Sequence, residues 1–219
     1  MFLSTLVLAA VAGAPAFAPP GTYRYSASLN GQSIGTWTAS VKSGDAGPEV
    51  DESSNATFAG MQMAATATLV LGPDLAPTRY SGSYQATGQT QTVTATLTAT
   101  SAAITGGFGG ASHSLALSPE TRHFVVIEPA LLAGLFVLPA QLQSWGDTSV
   151  TWVAPVTGQA QTISKNPEPP ARPAGVPAQD AEISMQGQIP FTIWYDPATL
   201  VPDEVIVPSQ NAVLTRQRP

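Results

Sequence analysis

The segment between Gln89 and Thr100 repeats with a period of two residues. Threonine takes every second position from Thr90 onward, and the positions between hold Val93, Ala95, Leu97 and Ala99. Because an extended chain sends successive side chains to opposite faces, this pattern predicts one β-strand with an apolar face and a hydroxyl face. At about 3.3 Å per residue such a strand spans roughly 40 Å. That length favours a large, curved antiparallel sheet over a compact sandwich.

Alternation also occurs on both sides of Asn30-Gly31, in segments 23–29 and 37–41. Asn and Gly both tolerate positive φ, so this dipeptide predicts a type I′ hairpin turn. Turn residues separate further segments that we predict as strands, at 61–71, 80–86, 113–117, 124–127, 150–156, 191–195 and 204–207. The fold class predicted is therefore all-β with one short helix, a large curved antiparallel meander in the form of a half-barrel or open barrel.

The short helix is predicted within segment 124–142, which is apolar without strict alternation or a clear helical stripe. Pro129 suits the first turn of a helix that runs to about Val137. Glu128 and the prolines of this segment argue against a membrane span. A helix that is apolar on every side must be covered by the sheet, and two interpretations remain open. It is a plug that fills the core, or a lid over an apolar cavity.

The beginning of the chain predicts export. Residues 2–12 form an uninterrupted small and apolar run, and an alanine-rich segment follows. This pattern is typical of a signal peptide, which we place at residues 1–18 with cleavage between Ala14 and Pro20. A buried first strand or helix is the alternative, and the run is shorter than the ~20 residues that span a bilayer. We expect a soluble periplasmic or secreted protein with one β domain over residues 19–219 and a proline-rich loop at 166–177.

The amino-acid composition excludes several kinds of partner and modification. Charged residues make up 10% of the chain and the net charge is -6, so no basic surface attracts a phosphate backbone and nucleic acid is excluded. The chain has no cysteine, so disulfides and a lipidated cysteine are excluded as well.

Reactive side chains are few. The two histidines, His113 and His123, lie in no nucleophile motif and at no zinc-site spacing. The densest acidic cluster is interpreted as a solvated turn and edge strand rather than a calcium site, and consists of Asp45, Glu49, Asp51 and Glu52. We therefore predict no enzyme, with no catalytic residue, no metal ligand and no cofactor.

The threonine face raises an ice-binding or carbohydrate-binding hypothesis, which requires the row to repeat on adjacent strands. The pairs Thr36 with Thr38 and Thr66 with Thr68 are only fragments of such a repeat. This favours cross-strand threonine pairs on a solvated face.

Short motifs distributed over most of the chain carry a family resemblance: Tyr23-x-Tyr25, Gly31-x-x-x-Gly35, Leu131-Leu132-x-x-Leu135 and Ile193-Trp194-Tyr195-Asp196-Pro197. With these motifs the chain resembles the DUF3108-like exported bacterial proteins of unknown function, whose sheet is similar to the half-barrel of periplasmic lipoprotein carriers. The resemblance implies a concave sheet covered by a helical segment and suited to an acyl chain or another apolar ligand.

These observations predict an exported, non-enzymatic protein that binds an apolar ligand or lipid in the concave face of its sheet, because alanines at inward positions leave room there. The alternative is a structural or interaction component of the cell envelope with a filled core. Peripheral membrane contact and the oligomeric state stay open. The predicted inner face includes Tyr25, Leu29, Trp37, Met63, Leu69, Tyr84, Val93, Leu97 and Trp152. The predicted ligand-binding residues are Trp37, Met63, Tyr84, Leu97, Leu131, Leu132, Leu135, Phe136 and Trp152.

Overall fold

The computed structural model describes residues 17–58, 60–107, 110, 112–128 and 132–218. Within them, fifteen strands form one large sheet that does not close, and one helix packs against it. The strands are β1 (Gly21–Leu29), β2 (Gln32–Gly44), β3 (Gly47–Phe58), β4 (Met61–Leu71), β5 (Pro77–Ala86), β6 (Gln89–Leu97), β7 (Ser101–Gly106), β8 (His113–Ala116), β9 (Phe124–Val126), β10 (Ser149–Ala154), β11 (Gln159–Lys165), β12 (Ala181–Gln186), β13 (Phe191–Tyr195), β14 (Pro202–Val207) and β15 (Ala212–Gln217). The helix is α1 (Ala133–Trp145), and a 3-10 turn covers Pro208–Gln210.

The strand order across the sheet is β8-β7-β6-β5-β4-β3-β2-β1-β15-β14-β13-β12-β11-β10-β9. The first eight strands form a meander on one side of β1, and β15 continues the sheet on the other side. This confirms the predicted fold class. One pair departs from it, because β9 and β10 are parallel. Parallel neighbours need a crossover connection, and α1 supplies it.

Helix α1 lies on the concave side of the sheet. It contacts β3 and β4 from one half and β9, β13 and β14 from the other. Every residue from Ala133 to Leu142 is buried. The helix therefore fills much of the space between the two halves of the sheet and joins them into one core.

The predicted helix, from Pro129 to about Val137, is wrong in its bounds. Pro129 lies outside the described residues, and α1 continues through Pro139 to Trp145. Pro139 removes one backbone hydrogen bond, but a helix buried on this scale is stabilised by packing rather than by local propensity. Gly146 ends the helix in the left-handed conformation, with φ of 68° and its N–H donating to the Leu142 carbonyl at 3.0 Å.

The threonine strand faces as predicted but is shorter. Leu97 is buried and Thr96 is exposed. Strand β6 ends at Leu97, because Thr98 and Ser101 form a turn in which the Thr98 N–H donates to the Ser101 carbonyl at 2.8 Å. The Thr98 hydroxyl also accepts the Ser101 N–H at 3.1 Å. A threonine hydroxyl that binds nearby backbone in this way competes with strand extension.

The sequence indicates strand β3 only as an edge strand at the acidic cluster, since residues 49–57 are mostly polar and do not alternate clearly. It lies between β2 and β4 rather than at an edge. The interpretation of the acidic cluster as solvated is therefore wrong for Glu52, which is 3% exposed. Its side chain points to the concave side because inward and outward positions alternate along β3.

Most of the predicted inner-face residues are buried, namely Tyr25, Trp37, Leu69, Val93, Leu97 and Trp152. Leu29 and Tyr84 are half-buried, and Met63 is 36% exposed. Met63 has the inward parity of β4 but lies near the end of its hairpin, where the sheet has no core to cover it. Among the described residues, no helix is long and apolar enough to cross a membrane.

Candidate functional site

Two rows of inward-facing residues cross the strands of the first half of the sheet. The row we call the Trp37 row pairs neighbours from β1 to β6 and consists of Tyr25, Trp37, Ser54, Ala65, Tyr84 and Gln91. The adjacent Met63 row is closer to the hairpin tips and consists of Gly35, Ala56, Met63, Ala86 and Gln89. Ser54 and Ala65 are the small residues in the middle of the Trp37 row, and Ala56 and Ala86 stand on either side of Met63 in the other row. The large side chains of Trp37, Met63 and Tyr84 therefore surround a gap.

That gap is a cavity of about 280 Å³. Residues of both rows line it on the sheet side, and Glu128 and Val156 line it as well. A wider depression of about 800 Å³ lies beside it at the tips of the hairpins. The residues that line both spaces are Ala56, Met63, Ala64, Gln85 and Thr87. The cavity therefore adjoins the rim of the sheet, where a small molecule can reach it from solvent.

The position of the Tyr84 side chain depends on the glycine at position 82. On the inner face of β5 the hydroxyls of Tyr80 and Tyr84 share a hydrogen bond of 2.6 Å. Gly82 lies between them, and a Cβ there would stand 2.8 Å from the Tyr80 hydroxyl and 2.9 Å from the Tyr84 ring. The two rings can meet only because position 82 has no side chain. Burial raises the pKa of both tyrosines, so both hydroxyls stay neutral.

Glu128 brings a carboxyl group to this apolar cavity. It is 3% exposed, and its Oε1 accepts the Val156 N–H at 2.7 Å. Burial raises the pKa of Glu128 to about 8, and the hydrogen bond from Val156 opposes that rise. Its Oε2 has no hydrogen-bond partner among the residues that the structure describes. The same holds for Oε1 of Gln91, another lining residue.

A second buried carboxyl group, that of Glu52, has a structural task. It accepts the N–H of Leu132 at 2.5 Å through Oε1 and the N–H of Ala133 through Oε2. Leu132 is the N-cap of α1 and makes no side-chain cap of its own. The sheet thus caps the helix, because Glu52 satisfies N–H groups that a helix start leaves without partners. Burial raises the pKa of Glu52 to about 8, while the two backbone hydrogen bonds work in the opposite direction.

Three of the predicted ligand-binding residues, Trp37, Met63 and Tyr84, come together at the cavity. Leu131 lies outside the described residues. The other five are buried in the core and do not line this cavity: Leu97, Leu132, Leu135, Phe136 and Trp152. The apolar helix therefore packs as part of the core next to the cavity rather than over it.

Sequence reasoning missed Glu128 and Gln91 as lining residues. Glu128 is the one acid in the apolar segment 124–142, and a lone charge in such a run is a signal of a buried functional or structural group. Gln91 shares the inward parity of Val93 and Leu97, so it marks where the inner face of β6 becomes polar. Ser54 and Ala56 carry no such signal, because they lie beyond the acidic cluster that was interpreted as a turn and edge strand.

The two histidines lie apart from the cavity. His123 Nδ1 lies 2.7 Å from Asp147 Oδ2, and its ring stacks on Trp145 with centroids 4.2 Å apart. This cluster joins the segment before β9 to the end of α1. Within the described part of the chain, no group of three or more His, Asp or Glu residues is placed to hold a metal ion.

The outer face repeats its hydroxyl groups more regularly than the threonines alone indicate. Strand pairing aligns serines with them, and one row consists of Thr38, Ser53, Thr66, Ser83 and Thr92. In this row the threonines do not repeat on adjacent strands, as expected, because serines of β3 and β5 alternate with them. A cross-strand threonine pair of the predicted kind occurs at Thr94 and Thr105.

Comparison with known proteins gives a likeness of fold. No protein-family model and no curated protein sequence matches the chain. Among solved structures, a β-barrel-like protein of the domain of unknown function DUF1849 from Brucella abortus matches with a TM-score of 0.55 and 9% sequence identity. The match covers 93% of this chain and 97% of that one. The chain is thus similar in fold to a β-barrel-like protein of unknown function, and this likeness does not extend to the DUF3108-like group in particular.

Proposed function

We propose that this protein binds an apolar small molecule in the cavity between the Trp37 and Met63 rows and that it carries or senses this molecule without chemical change. The observation that carries the proposal is the cavity itself, about 280 Å³ in volume and adjoining the rim of the sheet. Ligand sites are typically concave, mostly apolar and equipped with a few polar groups. Apolar side chains such as Trp37, Met63 and the alanines form the larger part of this wall, and its polar residues include Glu128 and Gln91.

Two sequence features extend the proposal to location and family. The apolar run at residues 2–12 supports export to the periplasm or the outside of the cell. The resemblance to DUF3108-like proteins, and through them to lipoprotein-carrier half-barrels, supports an acyl chain or another apolar molecule as the ligand.

The rim of the sheet is suited to uptake of the ligand from a membrane surface. Met61 and Met63 are 46% and 36% exposed, and both lie near the start of β4 beside the wider depression. Exposed methionines adapt to varied apolar partners. Peripheral contact of this hairpin tip with a membrane would bring the cavity close to its ligand.

A structural or interaction protein with a filled core is the second candidate. The observation in its favour is α1, which fills the space between the two halves of the sheet with side chains such as Leu132, Phe136 and Leu138. In this case the remaining cavity is a packing gap without a ligand.

Saturable binding of a fluorescent fatty-chain probe distinguishes the ligand-binding function from the structural one. Ala65→Trp places an indole in the middle of the Trp37 row and should abolish binding, whereas Thr66→Trp on the outer face of the same strand should leave it intact. Ala86→Phe in the half-buried part of the Met63 row repeats the test with less risk to folding. Lipid extraction and native mass spectrometry of the purified wild type complete it. If no probe saturates and no lipid is extracted, or if Ala65→Trp and Ala86→Phe bind as wild type does, the carrier function is rejected.

A further inference from the structure

The polar end of the cavity restricts the chemistry of the ligand, and this inference rests on the proposed function. Glu128 is nearly completely buried, and one of its two oxygens is already engaged by the Val156 N–H. The other, Oε2, belongs to a residue that lines the cavity and has no partner within the described part of the chain. A buried polar atom without a partner costs free energy. A ligand that supplies the missing hydrogen bond removes that cost.

Gln91 adds a second atom of the same kind. Its Oε1 is buried without a partner among the described residues, and the residue lines the same cavity. Once Glu128 has lost its proton, its Oε2 accepts hydrogen bonds, as the amide oxygen of Gln91 does. Two acceptors in need of partners call for a ligand group that donates several hydrogen bonds.

The charges around the cavity also favour a ligand group that donates hydrogen bonds. The described residues that line the cavity include no Lys, Arg or His, so nothing there balances a negative head group. A fatty-acid carboxylate would meet the Glu128 carboxyl group without a counter-ion. An ammonium group has three donors and the opposite charge, so it can bind both acceptors.

We propose that the ligand is a long-chain primary amine, whose head group binds Glu128 Oε2 and Gln91 Oε1 while its alkyl chain lies along the apolar wall toward the rim. Trp37, Ala65 and Met63 form that wall. The ion pair is formed as the ammonium group displaces the carboxyl proton of Glu128 to solvent, so the charge inside the cavity stays balanced.

Three probes with the same dodecyl chain test the inference on the full-length protein: dodecylamine, dodecanol and dodecanoate. Each competes with a fluorescent fatty-chain probe in a displacement titration. A charged hydrogen bond in a buried site should make the amine bind about tenfold or more tightly than the alcohol. Dodecanoate should bind most weakly. Equal affinity for amine and alcohol, or a preference for dodecanoate, overturns the amine assignment while leaving apolar binding in place.

Substitutions at the cavity test which residues cause the preference for the amine. Glu128→Gln should reduce the ratio of amine affinity to dodecanol affinity to about one, since the charged pair is lost. Glu120→Gln, an exposed acid, serves as the matched control and should behave as wild type. Gln91→Met should weaken amine binding to a lesser degree. An amine preference that survives Glu128→Gln overturns the inference. If no dodecyl probe binds to the wild type, the proposed function fails together with it, and dodecanol binding without an amine preference shows that this inference alone has failed.

Discussion

Glu52 and Leu132 are 80 positions apart in the chain, and the Leu132 N–H donates to Glu52 Oε1 at 2.5 Å. This contact makes a central strand of the sheet the cap of the only helix among the described residues. It also explains why an acid is tolerated in the core. A row of small inward residues, Ala39, Ala67 and Gly82, flanks Glu52 on its neighbouring strands and makes room for the start of the helix.

Glu52→Ala should destabilise the protein by roughly 2 to 4 kcal/mol, because two buried N–H groups lose their acceptors. The free energy of unfolding from urea titrations measures this effect. Glu52→Gln keeps one acceptor oxygen and should cost less. Glu49→Ala on the same strand is the control, and its exposed ion pair with Lys42 should contribute little to stability because solvent screens it. Equal losses at positions 49 and 52 would contradict the capping role.

Stability should fall as the pH rises from about 4.5 to about 8. The pKa of Glu128 is about 8 in the folded protein against an ordinary value of 4.5. Within this window the folded state binds more protons than the unfolded state, so raising the pH favours unfolding. The contribution of Glu128 is fully present below pH 4.5 and lost above 8. Urea titrations at several pH values should therefore show a smaller decline in Glu128→Gln than in the wild type, with Glu120→Gln as the unchanged control. If the free energy of unfolding declined equally with pH in all three proteins, Glu128 would not be the group responsible for the decline.

Leu97→Asp should unfold the protein, whereas Thr96→Asp should cost less than about 1 kcal/mol. Leu97 is 5% exposed on the inner face, and Thr96 is exposed on the outer face opposite Arg79. A carboxylate at position 97 has no counter-charge in the core, while one at position 96 gains Arg79. Thermal unfolding followed by circular dichroism compares the two variants. Similar losses of thermal stability would show that Leu97 does not face the core with Thr96 on the outer face.

Gly134→Ala should destabilise the protein by about 1 to 3 kcal/mol, the usual cost of overpacking. A Cβ at this position would stand 1.7 Å from the Val126 carbonyl oxygen. Alanine favours a helix over glycine by about 1 kcal/mol, but that gain cannot offset a clash with the backbone of β9. Gly146→Ala is the comparison, since nothing lies within 4 Å there and only the φ of 68° opposes alanine. An increase in the unfolding midpoint of Gly134→Ala would rule out this close packing of α1 on β9.

The sequence alone determined those features that depend on near neighbours. The inward and outward faces of β6 follow from a period of two, which is a property of any extended chain. The turn at Asn30-Gly31 follows from the positive φ that both residues accept, and their φ values are 50° and 76°. The bounds of β4 and β13 were predicted for the same local reason.

Tertiary structure decided whatever depends on pairing between distant segments. Strand β3 is polar, and only its position between β2 and β4 turns Glu52 into the core. The parallel pairing of β9 with β10 depends on where α1 packs, which no local pattern specifies. The cavity exists because strand register aligns Ser54 with Ala65 across two strands, and a shift of one residue would replace these inward positions by outward ones. Register is set by the sum of many contacts across the sheet, so the residues that line the site could be recognised only after the strands were placed side by side.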